Sequence, residues 1–129
     1  MARPRTIEAH FSEYSEYFET PGGDKHCYSS SSGPYEYLLG ALAGCFFYTL
    51  SSFERKCSWS RIDIKASGIK RPEIPTTLEE TVLTITVHGA DDKSDFEKLV
   101  RRAEAECSIY NTIKCVSTIR TDIIYEDER

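Results

Sequence analysis

The chain contains no Cys-x-x-Cys pair, and its three histidines, His10, His26 and His88, stand far apart in the sequence. Structural zinc sites use cysteines and histidines at short, regular spacings, so the common zinc-binding motifs are excluded. The five cysteines are Cys27, Cys45, Cys57, Cys107 and Cys115. An odd count in a chain without a secretion signal argues against a framework of structural disulfides. We therefore expect the cysteines to serve redox chemistry or to fill the core.

Long hydrophobic runs and an excess of positive charge are also lacking. The most apolar stretch, Leu38 to Leu50, is too short to cross a bilayer, which requires about 20 residues. The first residues do not have the basic, apolar and small-residue order of a signal peptide. The net charge of −5 disfavours a nucleic-acid partner, because binding to phosphates needs a basic surface. These features predict a cytoplasmic protein that binds neither a membrane nor nucleic acid.

The composition is that of an ordinary globular domain. Apolar residues make up 40% of the chain and charged residues 29%, which excludes a disordered chain. A length of 129 residues supports one domain with a modest core, so we predict a single domain over residues 1–129.

The most distinctive segment is a long apolar helix, predicted from Pro34 to about Lys56. Ser32 or Gly33 can cap it, and Pro34 suits its first turn because the missing N–H costs nothing there. One predicted face carries residues spaced by three or four, namely Leu38, Leu42, Cys45, Thr49 and Phe53. The helix is apolar on all sides, which is typical of an element buried on several sides. We therefore expect a homodimer that covers it.

Alternating and helical patterns place the other elements around this helix. Strands are predicted at Thr6–Phe11, near Tyr14–Phe18 and at Cys27–Tyr28, followed after the helix by Ser58–Gly68 and Leu78–Val87. A second helix is predicted to begin at a cap formed by Asp92 or Ser94 and to end near Cys107. A short segment from Ile109 to Cys115 then precedes a last strand from Ser117 to Tyr125. This order predicts an α+β fold with a largely antiparallel sheet.

Cys45 and Cys107 both lie at inward helical positions and are candidates for a redox pair, although such cysteines more often only pack. Cys107 lies at a predicted helix break, where exposed N–H groups favour a thiolate. Cys115 is an alternative second thiol, and otherwise a core residue. Cys27 is expected to be exposed or at a strand edge, and Cys57 to lie at a helix end.

Two stretches resemble a known family. The segment from Pro34 to Cys45 is similar to the helix of the OsmC/Ohr family of thiol-dependent hydroperoxide reductases, and the segment from Cys107 to Thr112 resembles that family's second, Cys-Pro-type motif. The order of strands and helices also agrees from about Thr6 to Glu126.

The resemblance implies an OsmC-like fold, in which an antiparallel sheet wraps around a long central helix in an intertwined homodimer. It implies a stress-response peroxidase that reduces organic hydroperoxides, with Cys45 as the peroxidatic thiol and Cys107 as the resolving thiol. A dithiol reductant, such as one that carries lipoyl groups, would restore the enzyme, and no metal or flavin would be required. The catalytic Arg would be Arg5 or Arg3, with Glu36 as its partner. The alternative is a non-catalytic OsmC-like binding or structural dimer in which the cysteines only pack.

Overall fold

The computed structural model describes residues 4–127, which form six strands and three helices. These residues divide into two compact units, with the boundary between Leu38 and Leu39. Arg3, one of the two candidates for a catalytic arginine, lies outside the described residues. Within residues 4–127, no helix combines the length and apolar character that crossing a membrane requires.

The first unit contains an antiparallel sheet of strands β1 (Glu8–Phe11), β2 (Glu16–Glu19) and β3 (Lys25–Cys27), in that order. The turn between β2 and β3 contains Gly23 at a φ of 91°, a conformation that glycine adopts without steric cost. The three strands that the alternation predicts in this region are therefore confirmed.

An aromatic cluster packs on this sheet. Phe18 lies 5.1 Å from Tyr37 and 5.7 Å from Tyr28, measured between ring centroids. The hydroxyl of Tyr37 donates a hydrogen bond to the carbonyl of Cys27 at 2.6 Å. Phe18 of β2, Tyr28 just after β3 and Tyr37 of the following helix thus form one aromatic cluster in the first unit.

The long helix, α1, spans Pro34–Ser52 and is shorter than predicted. The hydroxyl of Ser52 donates to the carbonyl of Thr49 at 2.7 Å, and serine hydroxyls that bond the backbone in this way compete with helix continuation. Beyond the end, the N–H groups of Lys56 and Cys57 donate to the carboxylate of Asp95, at 3.1 and 3.0 Å. The chain therefore leaves the helix before Lys56.

The buried stripe of α1 also differs from the predicted one. Its fully buried residues, spaced by four, are Leu42, Phe46 and Leu50. Leu38, which the prediction placed on the inward face, is 38% exposed, and Cys45 is only half-buried. An apolar residue occupies almost every position of this helix, so the periodicity alone does not distinguish one face from another.

The second unit contains the sheet of β4 (Arg61–Lys70), β5 (Leu78–His88) and β6 (Thr118–Glu126), in the order β4-β5-β6. Strand β4 pairs antiparallel with β5, but β6 runs parallel to β5, so the expectation of an antiparallel sheet is wrong for this pair. Parallel neighbours need a long crossover connection, and helices α2 (Lys93–Glu106) and α3 (Ser108–Lys114) supply it.

The core of this unit lies on one face of its sheet. Leu83, Ile85 and Val87 of β5 alternate with half-exposed residues and are fully buried. Helix α2 begins at Asp92, whose carboxylate accepts the N–H of Asp95 at 3.0 Å, so Asp92 rather than Ser94 is the cap.

Aromatic contacts help to attach α2 to this unit. The ring of Phe96 lies 5.5 Å from that of Trp59 and 6.1 Å from that of Tyr125 on β6. The half-buried Trp59 is covered by the guanidinium of Arg55 at 3.8 Å. Trp59 thus contacts both α2 and the segment that follows α1.

Candidate active site

Cys45 and Cys107 meet in the second unit. The thiol of Cys107 donates a hydrogen bond to the sulfur of Cys45, with 3.3 Å between the two Sγ atoms. Cys45 lies about three turns after the start of α1. Cys107 is fully buried at the junction of α2 and α3. A disulfide bond of roughly 2.05 Å would require the sulfurs to approach by about 1.2 Å.

The backbone of Cys107 interrupts the helices at this junction. Its φ of −66° and ψ of 120° are not helical, and it serves as the N-cap of α3. Its N–H donates to the carbonyl of Ala103 at 2.8 Å, and its sulfur accepts the N–H of Tyr110 at 3.5 Å. The helix break that the sequence predicts near Cys107 is thus confirmed.

Hydrogen-bond donors lower the pKa of the Cys45 thiol. Burial acts to raise the pKa of its thiol, but the donors outweigh burial, and the pKa lies below its ordinary value. In order of effect, the donors are the N–H of Ile109, the thiol of Cys107, the hydroxyl of Thr49 and the N–H of Ser108. The arrangement therefore favours a thiolate on Cys45.

The Cys107 thiol has the opposite tendency. Burial raises its pKa, and the neighbouring Cys45 raises it further, whereas the N–H of Tyr110 and the hydroxyl of Thr49 act to lower it. Of the two sulfurs, Cys45 therefore gives up its proton first. Such a pair combines an ionised nucleophile with a neighbouring protonated thiol.

A family model described as OsmC-like protein matches residues 28–122 of the sequence, a segment that includes both cysteines. The chain belongs to the OsmC-like family.

Solved structures share the OsmC-like fold over nearly the whole chain. A hypothetical protein from Aquifex aeolicus VF5 is 18% identical, with a TM-score of 0.81, covering 99% of this chain and 100% of its own. An OsmC like protein from Mycoplasma pneumoniae is 16% identical, with a TM-score of 0.81 and full coverage of both chains. The organic hydroperoxide resistance protein OhrB of Bacillus subtilis is 14% identical, with a TM-score of 0.64, covering 94% of this chain and 98% of its own. No curated protein matches the sequence.

Sequence reasoning on this OsmC-like chain missed two polar side chains beside the cysteines. Thr49 was assigned only to an apolar helix face, but its hydroxyl also donates to the carbonyl of Cys45 at 2.8 Å. Asn111 donates its side-chain amide to the carbonyl of Cys107 at 2.9 Å. Both stand four residues after a candidate cysteine, which is the signal that could have revealed them.

Glu36 and Arg5, the other two predicted site residues, lie in the first unit of this OsmC-like chain. The carboxylate of Glu36 accepts the N–H of Gly33 at 2.9 Å, which is a capping contact at the start of α1. Arg5 is exposed and precedes β1. The cysteine pair belongs to the other unit, residues 39–127.

The remaining three cysteines differ in how exposed they are. Cys115 is exposed, so the expectation of a core position is wrong; α3 ends just before it, and its thiol donates to the carbonyl of Asn111 at 3.4 Å. Cys27 is exposed on β3, as expected. Cys57 is buried, but it follows the end of α1 by several residues because the helix is shorter than predicted. In the described part of the chain, no three His, Cys, Asp or Glu side chains could together hold a metal ion.

Proposed function

We propose that this OsmC-like protein reduces hydroperoxides, preferably organic ones, through a sulfenic acid on Cys45 that Cys107 converts to a disulfide. The observation that carries the proposal is the 3.3 Å contact between the two sulfurs. The name of the Bacillus subtilis relative, an organic hydroperoxide resistance protein, agrees with the substrate class.

The first step is attack of the Cys45 thiolate on the peroxide. A sulfur–oxygen bond forms as the oxygen–oxygen bond breaks, so the sulfur is oxidised to a sulfenic acid and the peroxide is reduced to an alcohol once it takes up a proton. The N–H groups of Ser108 and Ile109 stabilise the thiolate before the attack.

In the second step the sulfur of Cys107 attacks the sulfenic acid. A sulfur–sulfur bond forms, the sulfur–oxygen bond breaks, and the departing hydroxide leaves as water with the thiol proton of Cys107. A dithiol reductant, such as one that carries lipoyl groups, then reduces the disulfide and is itself oxidised to a disulfide.

A homodimer is part of the proposal. On α1, Tyr48 is 74% exposed, and a Cβ added at Gly40 or Gly44 would meet no described atom within 4 Å. A second copy of the chain could cover this open apolar surface. The proposal also retains Arg5 as the cation that stabilises the thiolate and Glu36 as its partner, on the strength of the family resemblance alone.

Titration with cumene hydroperoxide tests the reaction. Intact mass under non-reducing conditions is expected to show the loss of two hydrogens, and peptide mapping should locate the disulfide at Cys45 and Cys107. Replacing the exposed Cys115 by Ser is the matched control and should leave the product unchanged. If both thiols remain alkylatable after peroxide treatment, the proposed reaction is wrong.

One observation favours the alternative of a non-catalytic OsmC-like dimer. Among the described residues, burial and hydrogen bonds, rather than a cation, set the direction of the pKa of Cys45. The variant Cys45→Ser separates the two functions. An enzyme loses peroxide turnover while its melting temperature is nearly unchanged, whereas a binding or structural dimer has no turnover to lose.

A further inference from the structure

The junction between α2 and α3 leaves backbone carbonyls that need partners. The last carbonyls of a helix have no N–H donor within that helix. In α2 they include the carbonyls of Glu104 and Ala105. Cys107, at the junction, has a ψ of 120°, so its backbone is not helical, although its N–H still donates to the carbonyl of Ala103. The orientation of α3 relative to α2 therefore depends on contacts other than the regular helix bonds.

Asn111 supplies these contacts. Its side-chain amide nitrogen lies 2.9 Å from the carbonyl oxygen of Cys107, 3.0 Å from that of Glu104 and 3.4 Å from that of Ala105. Since the amide has two N–H bonds, the two shorter contacts use its donors and the longest shares one. The backbone N–H of Asn111 also donates to the carbonyl of Cys107 at 3.0 Å. One residue thus binds the end of α2, the junction and α3 together.

The groups that face the two sulfurs lie in the first turn of α3. The N–H of Tyr110 donates to the Cys107 sulfur at 3.5 Å, and the N–H groups of Ser108 and Ile109 act to lower the pKa of Cys45. A rotation of α3 about the junction would move these three donors relative to Cys45. The other side-chain bond between the helices, from the Tyr110 hydroxyl to Glu104, measures 3.5 Å and is at the limit of hydrogen-bond length.

We propose that Asn111 is a positioning residue, whose side-chain amide fixes α3 against the end of α2 and so holds the Cys107 thiol and the first N–H groups of α3 at the Cys45 sulfur. The inference rests on the proposed function in that it assigns Asn111 to the same cysteine pair. Asn111 does not touch the reacting sulfurs through its side chain, and it acts through Cys107.

The test removes the donor while keeping the size of the side chain, in the variant Asn111→Leu. Two quantities are measured: the pH dependence of Cys45 alkylation by iodoacetamide, followed by peptide mass spectrometry, and the rate of Cys45–Cys107 disulfide formation with diamide. Diamide takes the two thiol hydrogens and is reduced to the hydrazine, so no peroxide is involved. We expect the pKa of Cys45 to rise and disulfide formation to slow by about tenfold, because small misplacements of reacting groups are costly.

Thr112→Val is the matched control. The hydroxyl of Thr112 donates to the carbonyl of Ser108 at 2.9 Å, entirely within α3, so its loss removes a side-chain bond of that helix without releasing α3 from α2. Both measured quantities should be those of the wild-type protein.

Asn111→Asp is a second variant of the same shape, and its carboxylate cannot donate to the three carbonyls. Wild-type values of both quantities in a folded Asn111→Leu or Asn111→Asp variant would overturn the positioning role. Unfolding of both variants would also overturn it, because the amide would then maintain the fold as a whole. Wild-type protein that forms the disulfide with diamide but not with cumene hydroperoxide would overturn the proposed function and leave the role of Asn111 intact.

Discussion

Two neighbouring thiols in this protein differ in how readily they lose a proton. The pKa of Cys45 is lowered because hydrogen-bond donors outweigh its burial, and the pKa of Cys107 is raised chiefly by burial. The difference arises from which sulfur receives N–H groups and which sulfur is enclosed. The chemical asymmetry of the pair is therefore a property of individual contacts.

The first prediction concerns pH. As pH rises, Cys45 should become a thiolate before Cys107, and its midpoint should lie below the pH at which an unperturbed cysteine ionises. The rate of iodoacetamide labelling at Cys45, measured against pH by peptide mapping, should therefore reach half of its maximum below that pH. A midpoint above it, or an earlier midpoint for Cys107, would contradict the assignment of Cys45 as the nucleophile.

The second prediction concerns Thr49, whose hydroxyl acts to lower the pKa of both thiols. Thr49→Val keeps the side-chain shape but removes the hydroxyl that acts to lower the pKa of Cys45, so that pKa should rise. The same alkylation profile measures the shift. Thr49→Ser retains the hydroxyl and should restore most of the wild-type value; a Ser variant that behaves like Val would point to packing instead.

At the scale of elements, the end of α1 is joined to the start of α2. The carboxylate of Asp95 accepts the N–H groups of Lys56 and Cys57, and that of Asp91 accepts the N–H of Ser58 at 2.8 Å. Backbone groups that leave a helix need such partners. These two acidic residues thus determine the path of the chain from α1 toward β4.

The third prediction tests this connection. Asp95→Ala leaves the N–H groups of Lys56 and Cys57 without their acceptor and should lower the free energy of unfolding by about 1–3 kcal/mol. Urea denaturation followed by circular dichroism measures the loss. Glu97→Ala on the same helix removes only a 4.0 Å surface ion pair with Arg101, so a change within about 0.5 kcal/mol is expected. Equal losses in both variants would show that the Asp95 contacts contribute little.

At the scale of the whole molecule, the surface of α1 is more apolar than its own chain covers. Leu42, Phe46 and Leu50 are fully buried, whereas Tyr48 is 74% exposed. Uncovered apolar surface on a helix is typical of an interaction surface, and the proposed function includes a second copy of the chain as the partner.

The fourth prediction is that Tyr48→Glu weakens the homodimer. A charged group placed in an apolar interface loses its hydration, so the dissociation constant should rise by about tenfold or more. Sedimentation velocity over a range of protein concentrations measures the shift. Ile124→Glu places the same charge on an exposed position of β6 that is 44% accessible, and it should leave the dimer intact. A wild-type protein that sediments as a monomer would exclude the dimer.

Much of the fold and part of the site can be predicted from residue patterns. Alternation in Leu78–Val87 and the capping residue Asp92 depend on local chemistry, and both are confirmed. The buried stripe of α1 and the exposure of Cys115 were predicted wrongly, because neighbouring elements decide which side of an apolar segment is covered. The parallel pairing of β6 was also missed, since a local pattern does not fix the direction in which a crossover returns.

The amino-acid sequence by itself determined the family, the order of the elements and the two cysteines that deserve study, because motifs, caps and periodicities are local properties of the chain. Only the tertiary structure decided that the sulfurs of Cys45 and Cys107 lie 3.3 Å apart, and that the pKa of Cys45 is lowered whereas that of Cys107 is raised. The physical reason is that hydrogen bonds and burial depend on distances between segments far apart in sequence, and folding alone brings those segments together.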